Sequence, residues 1–335
     1  MIRKYFKFLS ITVVLVVFIA SCAQIESESN DVIQKRILEA WVSTNYGSAA
    51  KVTKSGSYIL ESIDGTGEKV RDSSYVFVSY STKSLDGTYV TTTYEDIAKQ
   101  LGTYTIASYY GDYIWGMDLG AVYTGIEEIL KDMRVGGKIK VVVPPWLTDS
   151  ITTELYSTPF SSSGETSNII FEMEVNKVVD NIYEYQRELL EEYSNKYYGG
   201  IDSISDGFYL KKEIELPDGD TIVDGETINV RYIARLLNGH VFDTNIQDTA
   251  KKYRIYDSSN DYDALEMTFN TDLSEMVSAN DVVYGFSYAV NKMKYGESAV
   301  TFFWSPLGYY DSGSEGVVPG YTPLKFNIYV EPKDD

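Results

Sequence analysis

Four stretches of the chain carry apolar residues at helical spacing, and they form two pairs. Phe286, Ala289, Val290 and Met293 stand at i, i+3, i+4 and i+7, the stripe of a short helix, and Ile126, Ile129, Leu130 and Met133 stand likewise. Three residues beyond each methionine comes a glycine, Gly296 or Gly136, where a helix needs a residue that tolerates positive φ to leave its last turn. A strand-like apolar run follows each glycine. Gly125 and Gly285, Met133 and Met293, and Gly136 and Gly296 are each 160 positions apart, so the pairing is in register. The chain reads as a duplication.

The other pair is IQKRILEAWVSTN (33–45) and YQRELLEEYSNKY (185–197), 152 positions apart. Gln34 matches Gln186, Leu38 matches Leu190, Glu39 matches Glu191 and Trp41 matches Tyr193. In the first of these helices Ile33, Ile37, Leu38 and Trp41 share one face. Two readings fit that face: it covers its own domain, or it forms the seam of a homodimer.

After each helix a strand is expected, at 57–61 and 208–214, and then two strands around a tight turn. The hairpins are SSYVFVSYSTKSLDGTYVTT and ETINVRYIARLLNGHVFDT, with Tyr80 matching Tyr232 and Gly87 matching Gly239. Asp86-Gly87 and Asn238-Gly239 supply the positive φ such turns need. Ile228, Val230, Tyr232 and Ala234 alternate onto one face. Gln247–Asp281, rich in Asp, Ser and Asn, absorbs the growth of the offset from 152 to 160. Its DSSNDYD segment (257–263) lacks the central glycine and closing glutamate of a calcium loop and reads as a solvated loop. Each half closes on a final strand, IIFEMEV around Phe171 and LKFNIYV around Phe326.

A chain of 335 residues is long enough for two domains, each with its own core. The formal charge of −20 repels phosphate backbones, which argues against nucleic acid as a partner. One cysteine excludes an intramolecular disulfide, and with a single histidine leaves too few soft ligands for a zinc site. No metal and no other cofactor is expected. His240 sits in a hairpin turn with no second histidine and no nucleophile beside it, which speaks against a histidine-based hydrolase.

Arg3, Lys4 and Lys7 precede the apolar run Leu9–Ala20, which is too short for a confident bilayer span and reads as a secretory signal peptide. It ends in Ile19-Ala20-Ser21-Cys22, which resembles the lipobox of bacterial lipoproteins, whose cysteine becomes acylated. The alternative is that Cys22 is an incidental thiol beside an ordinary cleavage site. The expected organisation is a signal peptide over 1–22, a polar tether over 23–32, and two domains over 33–178 and 179–335. The expected location is the envelope of a Gram-negative-type bacterium, anchored by lipid to a membrane, the outer one rather than the inner, and facing the periplasm or the cell surface.

The order strand, glycine-turn hairpin, glycine-headed helix, Met-x-x-Gly, strand, proline-glycine loop and final strand resembles the FKBP-type peptidyl-prolyl isomerase domain, twice over. The residues that carry it in the second half are YIARLLNGHVFDT (232–244), VVYGFSYAVNKMKYGE (282–297) and SPLGYYDSGSEGVVPGYTPLKFNIYV (305–330). In the first half they are YSTKSLDGTYVTT (80–92), the helix with GGKIKVVVPPWL (136–147), and SNIIFEMEV (167–175). The resemblance implies an α+β fold of two such domains, each an antiparallel sheet wrapped around a short helix and each preceded by an amphipathic helix. It implies a hydrophobic pocket that receives a proline ring. Carried over, the catalytic candidates are Tyr232, Phe242, Asp243, Phe286, Tyr309 and Phe326, and the substrate-binding candidates are Leu265, Met267, Val282, Val283, Val317 and Val318. Phe286 stands on the pocket floor, where the family often has tryptophan. In the first half Val90, Thr91, Ile126 and Asp149 stand where the pocket wants Phe, Asp, an aromatic floor and Tyr, so its site is expected to be degenerate or differently selective.

Rotation about an X-Pro bond faces a barrier of about 18–20 kcal/mol and takes on the order of tens to hundreds of seconds uncatalysed. It needs no nucleophile, only a site that holds the twisted amide better than either planar form. The implied substrates are proline-containing polypeptides and the implied role is folding assistance for exported proteins. Phe326, Val283 and Tyr232 taken alone fit a packed core equally well. Two further readings remain at this point: a non-catalytic chaperone that keeps the fold, and a peptide- or glycan-binding lipoprotein whose many tyrosines line a contact surface.

Overall fold

The computed structural model describes residues 28–117, 119, 122–148, 166–314 and 316–333. Cys22, the leader around it and Asp149 lie outside these residues. Among the described residues no helix is long and apolar enough to cross a membrane.

The first half runs α1 (Asn30–Asn45), β1 (Lys51–Val52), β2 (Tyr58–Ile63), β3 (Tyr75–Ser84), β4 (Tyr89–Thr92), α2 (Glu95–Leu101), β5 (Tyr113–Gly116), α3 (Thr124–Leu130), β6 (Lys138–Val143) and β7 (Ile169–Val179). The second runs α4 (Ile182–Tyr198), β8 (Phe208–Ile214), β9 (Thr227–Leu236), β10 (Val241–Thr244), α5 (Gln247–Lys252), β11 (Leu265–Thr268), α6 (Leu273–Asn280), α7 (Tyr284–Asn291), β12 (Ser298–Phe303) and β13 (Leu324–Val330). The first sheet has the order β1-β2-β6-β7-β3-β4 with β5 on β3, and the second β8-β12-β13-β9-β10 with β11 on β9. Apart from the two-residue β1 the orders coincide strand for strand, so the duplication seen in the sequence is also one of topology. The fold is α+β: two antiparallel sheets, each curled over one short helix.

Both helix-ending glycines take the conformation their position demands, φ +83° at Gly136 and +75° at Gly296. The glycines that head the short helices serve a different need. A Cβ on Gly285 would lie 2.5 Å from the Phe303 ring, so glycine lets α7 sit directly on the end of β12.

The two faces of each sheet are divided by strand alternation. Val141, Val143 and Phe171 face the core with α3, whereas Val142 and Ile170 meet α1 on the other side. In the second sheet Ala299 and Phe303 face the core with α7, whereas Val300 and Phe302 meet α4. Each long helix therefore covers the outer face of its own sheet. The covered stripe of α1 is Leu38 and Val42, both buried, with Trp41 half-buried beside them, while Ile33 and Ile37 remain exposed. The covered face is therefore rotated from the expected one, with Val42 in place of Ile33 and Ile37.

Gln247–Asp281 folds as helix, strand and helix because the polar stretch carries spaced apolar anchors, Ala250, Met267, Phe269 and Met276, all buried. Asp272 caps α6 by accepting the Ser274 and Glu275 amides. DSSNDYD forms a turn closed on itself, with Asp257 accepting from the amide and hydroxyl of Ser259.

Candidate active site

Between the concave face of the second sheet and the N-terminal end of α7 lies a cavity of about 430 Å³. Its floor is Phe286, 2 % exposed, the first residue of the α7 stripe to face the sheet. Tyr232 and Phe326, on the adjacent strands β9 and β13, meet that ring edge-on, with centroids at 5.6 and 5.3 Å. Phe242 stands edge-on to Phe326 at 6.4 Å. Three phenylalanines and a tyrosine thus form an apolar box suited to a flat five-membered ring.

Phe242 and Asp243 both line the cavity although they are consecutive in a strand and ought to point to opposite faces. A β-bulge resolves this: Val241 pairs with Arg235 and Asp243 with Ala234, leaving Phe242 as the extra residue. Asp243 then reaches Tyr232, whose hydroxyl donates to Asp243 Oδ2 at 2.7 Å. The Tyr232 strand is itself locked from below, since Asn245 accepts the Tyr232 amide at 2.9 Å and donates to the Val230 carbonyl at 2.8 Å.

Tyr309 enters from the turn after the short 3-10 segment Ser305–Leu307. Burial, reinforced by the charge of Asp243, pushes both the Tyr232 and Tyr309 phenols above their ordinary value. Both remain protonated at neutral pH, and the Tyr232 hydroxyl is the one bonded to the Asp243 carboxylate. The site holds an apolar seat, one acceptor and two phenolic donors. It contains no nucleophile poised by a base.

All six catalytic candidates, Tyr232, Phe242, Asp243, Phe286, Tyr309 and Phe326, line this one cavity, as do Leu265, Val282 and Val283. Met267, Val317 and Val318 do not. Met267 and Val318 are buried in the core around the cavity, and Val317 is half-buried against that core. Ala234 and Asp281 also line the cavity and were not among the candidates. Ala234 was legible as an inward strand position. Asp281 carried no signal, because its place follows from the left-handed turn, φ +48°, that ends α6.

Residues 219–331 match the family model described as FKBP-type peptidyl-prolyl cis-trans isomerase. The match lies wholly within the second half of the chain. Solved structures with which the chain aligns include the three FKBP domains of wheat FKBP73, at 16% identity over 83% of this chain and 95% of that one, with a TM-score of 0.29. FkpA from Escherichia coli aligns at 24% identity over 50% of this chain and 71% of its own, TM-score 0.32. A peptidyl-prolyl cis-trans isomerase from Pseudomonas syringae pv. tomato aligns at 20% identity over 46% of this chain and 96% of its own, TM-score 0.31. No curated protein matches the sequence.

The first half repeats the strand order and the bulge of the second, with Lys83 paired to Tyr89 and Thr82 to Thr91, so that Val90 and Thr91 take the places of Phe242 and Asp243. The space corresponding to the pocket is occupied by the protein itself. Tyr113 and Trp115 of β5 stand at the registers of Leu265 and Met267 on β11. Trp115 lies 5.3 Å from Tyr80, and Tyr123 lies 6.3 Å from Phe171. Tyr80, Trp115, Tyr123, Ile126 and Phe171 are all buried.

Proposed function

We propose that the second domain catalyses cis-trans isomerisation of X-Pro bonds in exported polypeptides, and that the chain assists their folding in the cell envelope. The observation that carries the reading is the convergence of Tyr232, Phe242, Phe286 and Phe326 on one cavity with Asp243 and Tyr309 at its wall. The proline ring sits on Phe286 between Phe242 and Phe326. The apolar walls strip water from the adjoining carbonyl and so disfavour the charge-separated planar amide, while the twisted amide fits the box. Tyr309 donates to a substrate carbonyl, and Asp243 holds Tyr232 and the bulge in place.

The envelope location rests on the sequence of the N-terminus, a basic and apolar leader ending in Cys22. An acyl chain contributes about 0.8 kcal/mol per buried methylene, so several chains on Cys22 would hold the protein stably on a membrane. We assign turnover to the second domain alone, because in the first the buried aromatics Tyr80, Trp115 and Tyr123 fill the space a proline would need. The first domain then serves as a scaffold.

The test is the cis-to-trans rate of a short X-Pro peptide with the full chain, with Phe242→Ala and with Asp243→Ala. Acceleration by the parent that both variants lose supports the reading. A parent that leaves the rate unchanged but slows aggregation of an unfolded protein would replace it with a non-catalytic chaperone.

A further inference from the structure

The turn that carries Tyr309 is held from outside the isomerase domain proper. It begins at Ser305, which is 1% exposed, as is Gln186 of the long helix α4. The two are joined twice: Gln186 Oε1 accepts the Ser305 amide at 2.7 Å, and Gln186 Nε2 donates to Ser305 Oγ at 3.0 Å. The Ser305 carbonyl in turn accepts the amides of Gly308 and Tyr310, the second at 2.8 Å. Those bonds bracket Tyr309. Tyr310 follows with φ +51°, an uncommon backbone for tyrosine that fixes the direction in which the chain leaves.

Neighbouring contacts strengthen the same junction. Arg187 lies over the Trp304 ring at 4.5 Å and forms a two-pronged pair with Asp206, both bonds at 2.7 Å. Tyr183 meets the same ring edge-on at 5.8 Å. The first turns of α4 thus grip Trp304 and Ser305 on the sheet face opposite the pocket. The helix itself starts directly after β7 of the first domain, capped by Asn181, which accepts the Tyr183 and Glu184 amides.

The first copy does not repeat this device. Gln34, in register with Gln186, instead accepts from Asn168 Nδ2 at 2.9 Å at the start of β7. Among the described residues, a hydrogen bond from the long helix to the turn after β6 or β12 is seen only in the second half; in the first, α1 reaches the matching turn Pro145–Leu147 without one, and Pro145, which stands where Ser305 does, has no amide to donate.

We infer that Gln186 is a positioning residue for the isomerase: by fixing Ser305 it sets where the Tyr309 hydroxyl stands, and so ties the α4 helix and the first domain to the site. The inference rests on the isomerase reading given above. A buried amide bonded at both ends is costly to break, since removing it strands a donor and an acceptor away from water. The Gln186 side chain faces no substrate. Its effect on the reaction passes through Tyr309.

The experiment uses the full chain in five forms: parent, Gln186→Met, Ser305→Ala, Tyr309→Phe, and Gln186→Met with Tyr309→Phe. Isomerase kinetics and amide hydrogen exchange at Tyr310 and Gly313 are measured on each. Gln186→Met should lower kcat about tenfold with KM within about twofold, and Ser305→Ala, which spares the amide bond, should lower it less. In the Tyr309→Phe background Gln186→Met should change kcat by less than about twofold, because the two act as one unit. A merely structural glutamine would instead give effects that multiply, and that result overturns the inference. Exchange at Tyr310 and Gly313 should quicken in Gln186→Met and Ser305→Ala, whether or not the chain is active. Unchanged exchange in both overturns the clamp even if the isomerase reading holds. A parent without activity but with quickened exchange in the variants overturns the isomerase reading and leaves Gln186 as a clamp on the loop.

Discussion

The Tyr232 hydroxyl donates to Asp243 Oδ2 at 2.7 Å across a bulge that turns Asp243 toward the cavity. This contact joins the strand that carries the pocket wall to the strand that closes it. Tyr232→Phe and Asp243→Ala each remove it, and each should lower kcat/KM of X-Pro isomerisation about tenfold or more, the scale of a lost hydrogen bond to a charged group. The double variant should be little worse than the poorer single, since both delete one interaction. Steady-state kinetics on the three variants checks this.

The same carboxylate sets a pH dependence. Burial and then the charge of Asp243 raise the Tyr232 and Tyr309 phenols above the ordinary value of 10.0. The rate should therefore show no phenolic limb between about pH 6 and 9. A folded value above the unfolded one adds stability that is complete below 10.0 and is lost as pH rises through the folded value. In Asp243→Ala the folded values fall back toward 10.0, so the stability lost between neutral and strongly alkaline pH, followed by denaturant unfolding against pH, should be smaller than in the parent.

At the foot of the second sheet Glu297 sets an acid dependence. Its side chain is buried, and burial opposes its charge, but Lys212 at 2.7 Å and the Leu216 and Lys294 amides at 3.0 and 2.9 Å outweigh that and hold it below its ordinary value. The stability it adds is present above 4.5 and is lost as pH falls through the lower folded value. Glu297→Ala should cost about 3–5 kcal/mol at neutral pH, because it leaves a partly buried cation and two amides without their acceptor. Denaturant unfolding at pH 7, and again in acid, where the gap between parent and variant should narrow, measures it.

The filled first domain leads to a different expectation. Trp115 packs against Tyr80 with 3% of its surface exposed, so Trp115→Ala should destabilise that domain by about 3–5 kcal/mol. It should not create an isomerase site there, since Thr91 and Val90 offer neither the carboxylate nor the aromatic wall. Calorimetry of the full chain, with isomerase kinetics on the Phe242→Ala background, separates the two effects.

Much of this is legible in the amino-acid sequence alone. Helical stripes, glycine stops and the two turn dipeptides located both short helices and both hairpins, because those signals are local and steric. The cavity residues from Tyr232 to Phe326 came from the resemblance to the FKBP-type domain that the order of those elements carries. What was not legible depends on tertiary partners. Ile33 and Ile37 share a helical face with Leu38 yet stay in water, since only the sheet decides which part of a stripe is covered. The polar run 247–281 hides a strand and two helices because a few buried anchors outweigh many polar neighbours. Gln186 could be aligned with Gln34, but their different partners, Ser305 and Asn168, depend on a loop and a strand start more than a hundred residues away.

The most direct measurement of the central claim is an NMR complex of the full chain with a short X-Pro peptide, read by intermolecular contacts of the proline ring. Contacts from the ring protons to Phe286, Phe242 and Phe326, lost in Phe242→Ala, are the expected result. Proline contacts confined to the first domain, or a bound peptide whose proline touches none of these rings, would contradict it.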